Sequence, residues 1–293
     1  MKFKKQKATS IFRVYLELSK LNILSLVLVA TFLGYYIGNN GVGELSRLIY
    51  TLLGTSLTAA GSGALNHYVE RNPDKYMERT KNRPLPAGLI SPLHVIIYGV
   101  FMTIGGSLLL VFKINLLTGF LSLLTAFLYV IVYTPLKRIT WLNTSVGSIP
   151  GAMPILGGWT AATGEIGNMA WILFGIMYLW QHPHFYAIAW MCKDDYASAN
   201  FKMLPVIEKD GSRTIRQIFW HLLLMIPVSL LPVVEGSLGY FYLFGVTIIS
   251  CVFFLSAIPL AKDKSRKSAL LLLKTSVLYL PVLLIIIIID LKV

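Results

Sequence analysis

Long apolar stretches separated by short polar segments run through almost the whole chain. A bilayer core needs about 20 apolar residues in a helix, and several Gly or Pro interruptions are tolerated within a packed bundle. The stretches that approach this length lie at 21–38, 48–68, 94–112, 115–134, 144–162, 169–191, 217–234, 239–260 and 269–290. This pattern predicts an all-α polytopic membrane protein, a bundle of nine transmembrane helices.

The stretch 144–162 is the least regular of the nine. Glycines and prolines crowd its centre, namely Gly147, Pro150, Gly151, Pro154, Gly157 and Gly158. Small residues let helix backbones approach each other closely in membranes. We therefore expect a broken or bent helix here that packs closely against its neighbours.

Composition excludes a water-soluble globule. Hydrophobic residues make up 56% of the chain and charged residues 13%, with a mean hydropathy of +0.68, whereas an average soluble domain has about 25% charged residues. The two cysteines, Cys192 and Cys251, lie in different apolar segments, which argues against a disulfide framework or a structural zinc site. No linker divides the chain, so residues 1–293 are predicted to form a single domain.

The distribution of Lys and Arg predicts the orientation in the membrane. With nine spans, 23 of the 26 basic residues fall on the side of the N-terminus, and the other side holds Arg47, Lys113 and Lys292. The positive-inside rule then places the N-terminus in the cytoplasm, with 1–20 as a retained basic tail, and the C-terminus outside. The formal net charge of +13 is mostly this topology signal, so nucleic-acid binding is not expected.

A dense mixture of acids and bases follows the second stretch, at 66–88. Asn66, Glu70 and Asp74 are spaced by four residues, which places them on one helix face, although Pro73 ends a regular helix near Asp74. Mg²⁺ binds through one or two carboxylates plus substrate phosphates, and Arg or Lys takes the remaining phosphate charge. A charged loop beside a membrane helix can be explained by exposure to water and by the positive-inside rule alone. That explanation does not account for the acidic residues, because membrane topology does not require them.

A second polar segment follows the sixth stretch, at 180–205. Tyr186, Trp190 and Asp194 again step by four, and Asp194-Asp195 with Lys193 repeats the combination of acids and a base on the same membrane side. Two such clusters are predicted to close on one diphosphate from opposite sides. Lys137-Arg138 lies at the end of the fourth stretch. On its own, this pair would be explained as basic residues that mark the cytoplasmic end of a membrane span.

Six segments carry a family resemblance when taken in chain order. They are Asn66-x3-Glu70-x3-Asp74, Arg79-Thr80-x2-Arg83-Pro84-Leu85, Tyr133-Thr134-x-Leu136-Lys137-Arg138, Pro183-His184-Phe185, Asp195-Tyr196 and Met203-Leu204-Pro205. Together they resemble the intramembrane aromatic prenyltransferases of the UbiA type, over roughly residues 60–210. Within this superfamily they are most similar to the branch that prenylates haem.

The resemblance implies an Mg²⁺-dependent transfer of a farnesyl group from farnesyl diphosphate to the 2-vinyl group of haem b. The product would be haem O, for the cofactor of haem–copper oxidases. The downstream haem A synthase would be a partner. The positive-inside rule predicts an active site facing the cytoplasm, and the short segment before the first stretch favours a bacterial plasma membrane as the location. The substrates and the lipid bilayer would be the other partners.

The resemblance also implies roles for individual residues. Those expected to hold the metal and act in catalysis are Asn66, Glu70, Asp74, Asp194 and Asp195. Those expected to contact the diphosphate are Arg79, Arg83, Lys137, Arg138 and Lys193. The prenyl and haem pocket is expected to include Tyr68, Tyr133, Tyr186 and Trp190, whose aromatic faces shield an allylic cation, together with Asn143 and His184. His184 is also a candidate haem-iron ligand.

The chain departs from the superfamily pattern in two places. Glu70 stands where many members have Asp. The second motif has no acid four residues later, because Ser198 follows Asp194 and Ala199 follows Asp195. Lys193 would then take part of the phosphate charge.

Two other functions are compatible with the residues. One is a prenyltransferase that acts on a quinone precursor or another aromatic acceptor, since the diphosphate chemistry would be unchanged. The other is a transporter of an anionic amphiphile, with the basic loops as its vestibule. Transporters usually place charges near the bilayer midplane, whereas the acids here lie at one face, which favours an enzyme.

Overall fold

The computed structural model describes residues 10–208 and 210–291, and this part of the chain is helical without any β-strand. The α-helices are α1 (Ile11–Leu18), α2 (Leu21–Gly38), α3 (Leu45–Glu70), α4 (Pro92–Lys113), α5 (Leu116–Phe127), α6 (Thr134–Leu136), α7 (Asn143–Thr163), α8 (Asn168–Met191), α9 (Lys193–Ser198), α10 (Leu204–Ile207), α11 (Ser212–Val234), α12 (Tyr240–Asp263) and α13 (Arg266–Asp290). A 3₁₀ turn spans Pro73–Tyr76, and a π-helical segment, Leu128–Tyr133, joins α5 to α6. Most of the predicted basic tail, with Lys2, Lys4, Lys5 and Lys7, and also Lys209 and Lys292, lie outside the described residues.

Each predicted apolar stretch forms a long helix, and the all-α polytopic prediction is confirmed. Seven helices of the described chain are long and apolar enough to cross a membrane: α2, α3, α4, Leu116–Leu136, α11, α12 and α13. The other two long helices, α7 and α8, fall outside this set. Glycine and proline lower the mean hydropathy of α7, and the polar residues Gln181, His182 and His184 lower that of α8.

Helix α7 corrects one expectation. It runs without a break through Pro150 and Pro154, so it is not a broken helix. The expected close packing is confirmed, because a Cβ on Gly158 would lie 1.9 Å from the Thr31 carbonyl oxygen of α2. Reciprocally, a Cβ on Gly34 would lie 2.0 Å from the carbonyl oxygen of Ile155. Glycine at these positions lets the α2 and α7 backbones touch.

The helices pack around several buried clusters. The largest joins α2, α7, α8, α11, α12 and α13 and includes the fully buried Tyr242 and Phe253. Helix α3 packs tightly on α4, where a Cβ on Gly61 would lie 2.5 Å from the carbonyl oxygen of Gly99. The polar segments that follow α3, α6 and α8 meet at one end of the bundle, since side chains and backbone of these segments are hydrogen-bonded to each other.

Candidate active site

The first polar segment begins where α3 ends. Helix α3 stops at Glu70, and Asp74 lies in the 3₁₀ turn Pro73–Tyr76, as the position of Pro73 predicts. The hydroxyl of Thr80 donates to the backbone carbonyl of Asp74 at 3.0 Å. This contact folds the following segment back over the turn.

Three oxygen-bearing side chains of this segment are buried together. Asn66 and Asp74 are 0% exposed and Glu70 is 5% exposed. The amide nitrogen of Asn66 donates to the hydroxyl of Thr134 at 2.8 Å, which leaves its carbonyl oxygen as the acceptor. Buried carboxylates are costly unless they are paired with cations and hydrogen-bonded.

Each of the three acceptors has its own cationic partner. The pairs are Lys20 with the Asn66 Oδ1, Lys137 with the Glu70 Oε1 at 2.7 Å, and Arg83 with both carboxylate oxygens of Asp74 at 3.0 and 2.8 Å. Arg83 also lies 4.0 Å from Glu70, so its guanidinium connects the two acids. The result is an alternating cluster of positive and negative groups at the ends of three helices.

Burial and neighbouring charge shift the pKa values of this cluster in different directions. Burial lowers the pKa of Lys20 to about 7, although the Glu70 carboxylate opposes this effect. Burial raises the pKa of Asp74, and Arg83 opposes the rise. Burial would also lower the pKa of Lys137, but the adjacent Glu70 carboxylate together with Tyr133 and Tyr129 outweighs this effect and raises the pKa. Opposite charges nearby and loss of solvent are the physical causes in all three cases.

Lys20 is a site residue that the sequence does not reveal. It precedes α2 with a left-handed backbone (φ 51°), and its ammonium reaches Asn66 from 46 positions away in the chain. In the sequence it is one more basic residue before an apolar stretch, which topology alone explains. Its position just outside the first span is the one signal that it lies at the same membrane face as the other basic residues.

The second polar segment is attached directly to the first. The carboxylate of Asp195 accepts hydrogen bonds from the backbone N–H groups of Glu78 at 3.1 Å and Arg79 at 3.3 Å. The hydroxyl of Ser198 donates to the Tyr76 carbonyl at 2.8 Å. The two polar segments therefore meet, with Asp195 holding the backbone between Asp74 and Arg83. Asp194 and Lys193 are solvent-exposed beside it.

A cavity of about 420 Å³ extends inward from the cluster. Its charged lining consists of Lys20, Glu70, Asp74, Arg79, Arg83 and Lys137. Four cations against two carboxylates favour a polyanionic group at this end. Mostly apolar residues of α2, α5, α7 and α8, with small and hydroxyl residues of α3, line much of the remaining wall. The cavity thus suits a molecule with an anionic head and an apolar body.

The predicted diphosphate contacts do not all face this cavity. The exposed Arg79 does, with its guanidinium 5.9 Å from the ring centre of Tyr196. Arg138 instead lines a separate cavity of about 400 Å³. Glu70 and Phe201 line both cavities, so they form the wall between them.

Two of the predicted pocket residues, Tyr133 and His184, line the main cavity. The π-helical segment places the Tyr133 ring 5.8 Å from the Tyr129 ring, and the Lys137 ammonium lies 4.6 Å from the Tyr133 ring centre. Such π-helical insertions are frequent at functional sites. The Nδ1 of His184 is 2.8 Å from the Ser276 hydroxyl.

Tyr68 and Tyr186 are not among the residues that line the main cavity. Tyr68 packs beside α1 and α4, with the Arg71 guanidinium 4.1 Å above its ring. Tyr186 is fully buried in the large cluster of α8 and α11–α13. The sequence predicts both residues to lie in the pocket. Helical spacing alone does not indicate which side of a helix faces a cavity when every side is apolar or aromatic.

Trp190 and Asn143 also lie outside the cavity lining and hold loops in place. The indole N–H of Trp190 donates to the Lys264 carbonyl at 3.2 Å. The amide of Asn143 donates to the Lys202 carbonyl at 3.2 Å. Sequence reasoning assigned no role to many other cavity residues, among them Tyr129, Met177, Gln181, Tyr196 and Phe201.

The donor set of the site fits a hard divalent cation. The Oδ1 of Asn66 and the carboxylates of Glu70 and Asp74 present oxygen atoms, the donor type that Mg²⁺ prefers. Among the described residues, no three His, Cys, Asp or Glu side chains form a group that holds a metal unaided. A cation here would therefore take the rest of its ligands from water or from a bound phosphate, which is the usual manner for Mg²⁺.

The fold and the site together define an integral membrane protein with a polyanion site at the ends of its helices. The chain belongs to the UbiA prenyltransferase family, whose profile matches residues 27–278. Membership in this family makes the protein a membrane prenyltransferase.

Curated relatives are similar over almost their full length. A protohaem IX farnesyltransferase of Solibacter usitatus (strain Ellin6076) is 42% identical over 92% of this chain and 96% of its own. A protein of the same name from Salinibacter ruber (strain DSM 13855 / M31) is 44% identical over 94% of this chain and 98% of its own.

Solved structures share the fold at low sequence identity. A digeranylgeranylglyceryl phosphate synthase superposes with a TM-score of 0.81 at 18% identity, covering 96% of this chain and 99% of that one. A UbiA homologue from Archaeoglobus fulgidus, solved with DMAPP and Mg²⁺, superposes with a TM-score of 0.60 at 16% identity, covering 92% of this chain and 99% of that one. At these identities the likeness supports the fold alone.

Proposed function

We propose that this protein transfers the farnesyl group of farnesyl diphosphate to the 2-vinyl group of haem b, which gives haem O and releases diphosphate. The observation that carries the proposal is the buried cluster of Asn66, Glu70 and Asp74 with its three cationic partners at the mouth of an apolar cavity. The relatives named protohaem IX farnesyltransferase, at 42% and 44% identity, support the choice of acceptor.

The cationic side chains hold the diphosphate in this proposal. Lys20, Arg83 and Lys137 are each paired with an acceptor of the site, and Arg79 faces the cavity from the exposed side. Asn66, Glu70 and Asp74 would hold Mg²⁺. When bound, the cation neutralises phosphate charge and so makes diphosphate a better leaving group.

The carbon–oxygen bond of farnesyl diphosphate breaks as the diphosphate takes the electron pair. The allylic cation is attacked by the terminal carbon of the haem vinyl group, which forms the new carbon–carbon bond. Water then adds to the remaining vinyl carbon and loses a proton, leaving the hydroxyl group of haem O. The aromatic faces of Tyr129 and Tyr133, which line the cavity beside Lys137, stabilise the cation by its attraction to the ring faces.

Asp194 and Asp195 form the second acidic motif in this proposal. Asp195 fixes the backbone at Glu78 and Arg79 and thereby holds Arg79 at the cavity. The exposed Asp194 and Lys193 close on the diphosphate from the outer side. Arg138 lines the neighbouring cavity, where it adds positive charge behind the wall formed by Glu70 and Phe201.

His184, which borders the cavity through α8, is the proposed contact to haem. Its ring stacks on Trp180 with ring centres 4.9 Å apart, so a flat macrocycle could extend this stack. Tyr68, Asn143, Tyr186 and Trp190 act as positioning residues in this proposal. Tyr68 and Tyr186 pack in buried clusters, whereas Asn143 and Trp190 donate to the carbonyls of Lys202 and Lys264.

The nine long helices all cross the membrane in this proposal, with the N-terminus in the cytoplasm and the C-terminus outside. The active site would then lie at the cytoplasmic face of a bacterial plasma membrane. The asymmetry of Lys and Arg supports this orientation. The product would pass to a haem A synthase, the enzyme that consumes haem O.

One assay tests the proposed reaction. Purified protein is mixed with haem b, farnesyl diphosphate and Mg²⁺, and the products are identified by mass spectrometry. We expect haem O, and none when farnesyl diphosphate is omitted. Consumption of farnesyl diphosphate only with an added quinone precursor would contradict haem as the acceptor.

A further inference from the structure

The cavity extends far from its charged mouth. Along α3 it is lined from Glu70 to Thr55, a depth of roughly 22 Å at the helical rise of 1.5 Å per residue. Its far end is bordered by Thr31, Leu110, Thr118 and Gly157. The hydroxyls of Thr31 and Thr118 are bonded to protein oxygens, so this end offers its ligand mostly apolar surface.

Gly157 differs from the glycines around it. A Cβ at Gly34 or Gly158 would lie about 2 Å from a carbonyl oxygen of the facing helix, whereas a Cβ at Gly157 would meet no heavy atom within 4 Å. Helix packing therefore does not require glycine at 157. The open space beside Gly157 belongs to the cavity, whose lining includes this residue.

We propose that Gly157 determines the length of the prenyl chain that the enzyme accepts. With the diphosphate at the cationic cluster, the chain extends inward along the apolar wall, and its last isoprene unit occupies the open space beside Gly157. The inference rests on the proposed function, because it requires a prenyl diphosphate as donor. A larger side chain at this position shortens the cavity from its far end.

The test is a competition between two donors in one reaction. Equimolar geranyl and farnesyl diphosphate are supplied with haem b and Mg²⁺, and the ratio of the two products gives the ratio of their kcat/KM values. Gly157→Leu is expected to lower the farnesyl-to-geranyl ratio by about tenfold or more, since even a single methylene in an apolar pocket can change specificity by that factor.

Gly105→Leu is the matched control. Gly105 is also a helical glycine whose Cβ would meet nothing within 4 Å, but it faces outward from α4 and does not line the cavity. Its product ratio should equal that of the unmodified protein. Detergent-solubilised yield and melting temperature of both variants show whether either is misfolded.

The outcomes distinguish a failure of this inference from a failure of the proposed function on which it rests. An unchanged product ratio in Gly157→Leu overturns the role of Gly157. If Gly157→Leu is inactive with both donors, Gly157→Ala decides: a lowered ratio supports the role and an unchanged ratio overturns it. If the unmodified protein makes neither product, the proposed function itself fails.

Discussion

Asp74 is the residue on which the chemistry depends most. It is fully buried, and one nitrogen of Arg83 donates to both of its oxygens. Its carboxylate faces the cavity at the point where the other acids and cations converge. A neutral side chain of the same shape would keep the hydrogen bond to Arg83 and remove the charge.

We predict that Asp74→Asn lowers turnover by about 100-fold or more, the usual cost of removing one electrostatic contact to the transition state. Membrane insertion and yield should be unchanged. Glu78→Gln is the control, since Glu78 lies in the same segment with a side chain 81% exposed and paired with Lys81. Haem O production by Asp74→Asn at the rate of the control would exclude the proposed role.

Lys20 gives a second prediction at this scale. Lys20→Met should raise the KM for farnesyl diphosphate by about ten- to a hundredfold, because a hydrogen bond to a charged group is worth about 1.5–3 kcal/mol. Lys20→Arg should restore part of the affinity. Lys81→Met serves as control, since Lys81 is paired with Glu78 on the surface. Equal KM values for Lys20→Met and its control would show that Lys20 does not contact the substrate.

The residue scale also shows where the sequence is informative. The four-residue spacing of Asn66, Glu70 and Asp74 and the helix-ending effect of Pro73 predict their grouping, because these properties are local. The contact of Lys20 with Asn66 is not predictable in this way, since it depends on how α2 packs against α3. Tyr186 follows the predicted helical spacing but points into the core.

At the scale of elements, the short helix α9 holds the segment that follows the 3₁₀ turn. Asp195 binds two consecutive backbone N–H groups there, and Ser198 binds the Tyr76 carbonyl. The segment carries Arg79, Thr80 and Arg83, so its position controls two cationic groups of the site. The sequence predicts that the two acidic segments meet but not that one carboxylate binds backbone N–H groups.

Amide hydrogen exchange tests this attachment. Asp195→Ala should lower turnover and accelerate exchange at the amides of Glu78 and Arg79, because both lose their acceptor. Asp194→Ala should lower turnover without faster exchange there, since its side chain is exposed and does not bind these amides. Unchanged exchange in Asp195→Ala would show that the segment is held by other contacts.

Helix α7 shows how packing overrides local sequence. Two internal prolines predict an interruption, yet the helix is continuous over Asn143–Thr163. Tight contact with α2 through Gly34 and Gly158 stabilises the helical path, and neighbouring helices can compensate for backbone groups freed by proline. Length and composition predict where this helix lies, whereas its continuity depends on partners far away in the chain.

At the scale of the whole molecule, the helices are apolar on their outer faces, and the chemistry lies at one end of the bundle. The hydropathy pattern predicts this architecture well because each span is set by its own composition. The cavity is not predictable in the same way. It depends on which faces of α2, α3, α5 and α7 leave space between them.

Cysteine labelling tests the proposed orientation. In a background without Cys192 and Cys251, Lys81→Cys should react with a membrane-impermeant maleimide only from the cytoplasmic side. Glu165→Cys, in the exposed turn between α7 and α8, should react only from the outside. Labelling of both positions from the same side would contradict the proposed membrane topology.

The most direct test of the central claim is electron paramagnetic resonance with Mn²⁺ in place of Mg²⁺, using a non-ionising thiolo analogue of farnesyl diphosphate. We predict a bound Mn²⁺ signal with hyperfine coupling to phosphorus, and loss of that signal in Asp74→Asn but not in Glu78→Gln. The account would be contradicted if the analogue bound without any metal–phosphorus coupling, or if the coupling were unchanged in Asp74→Asn.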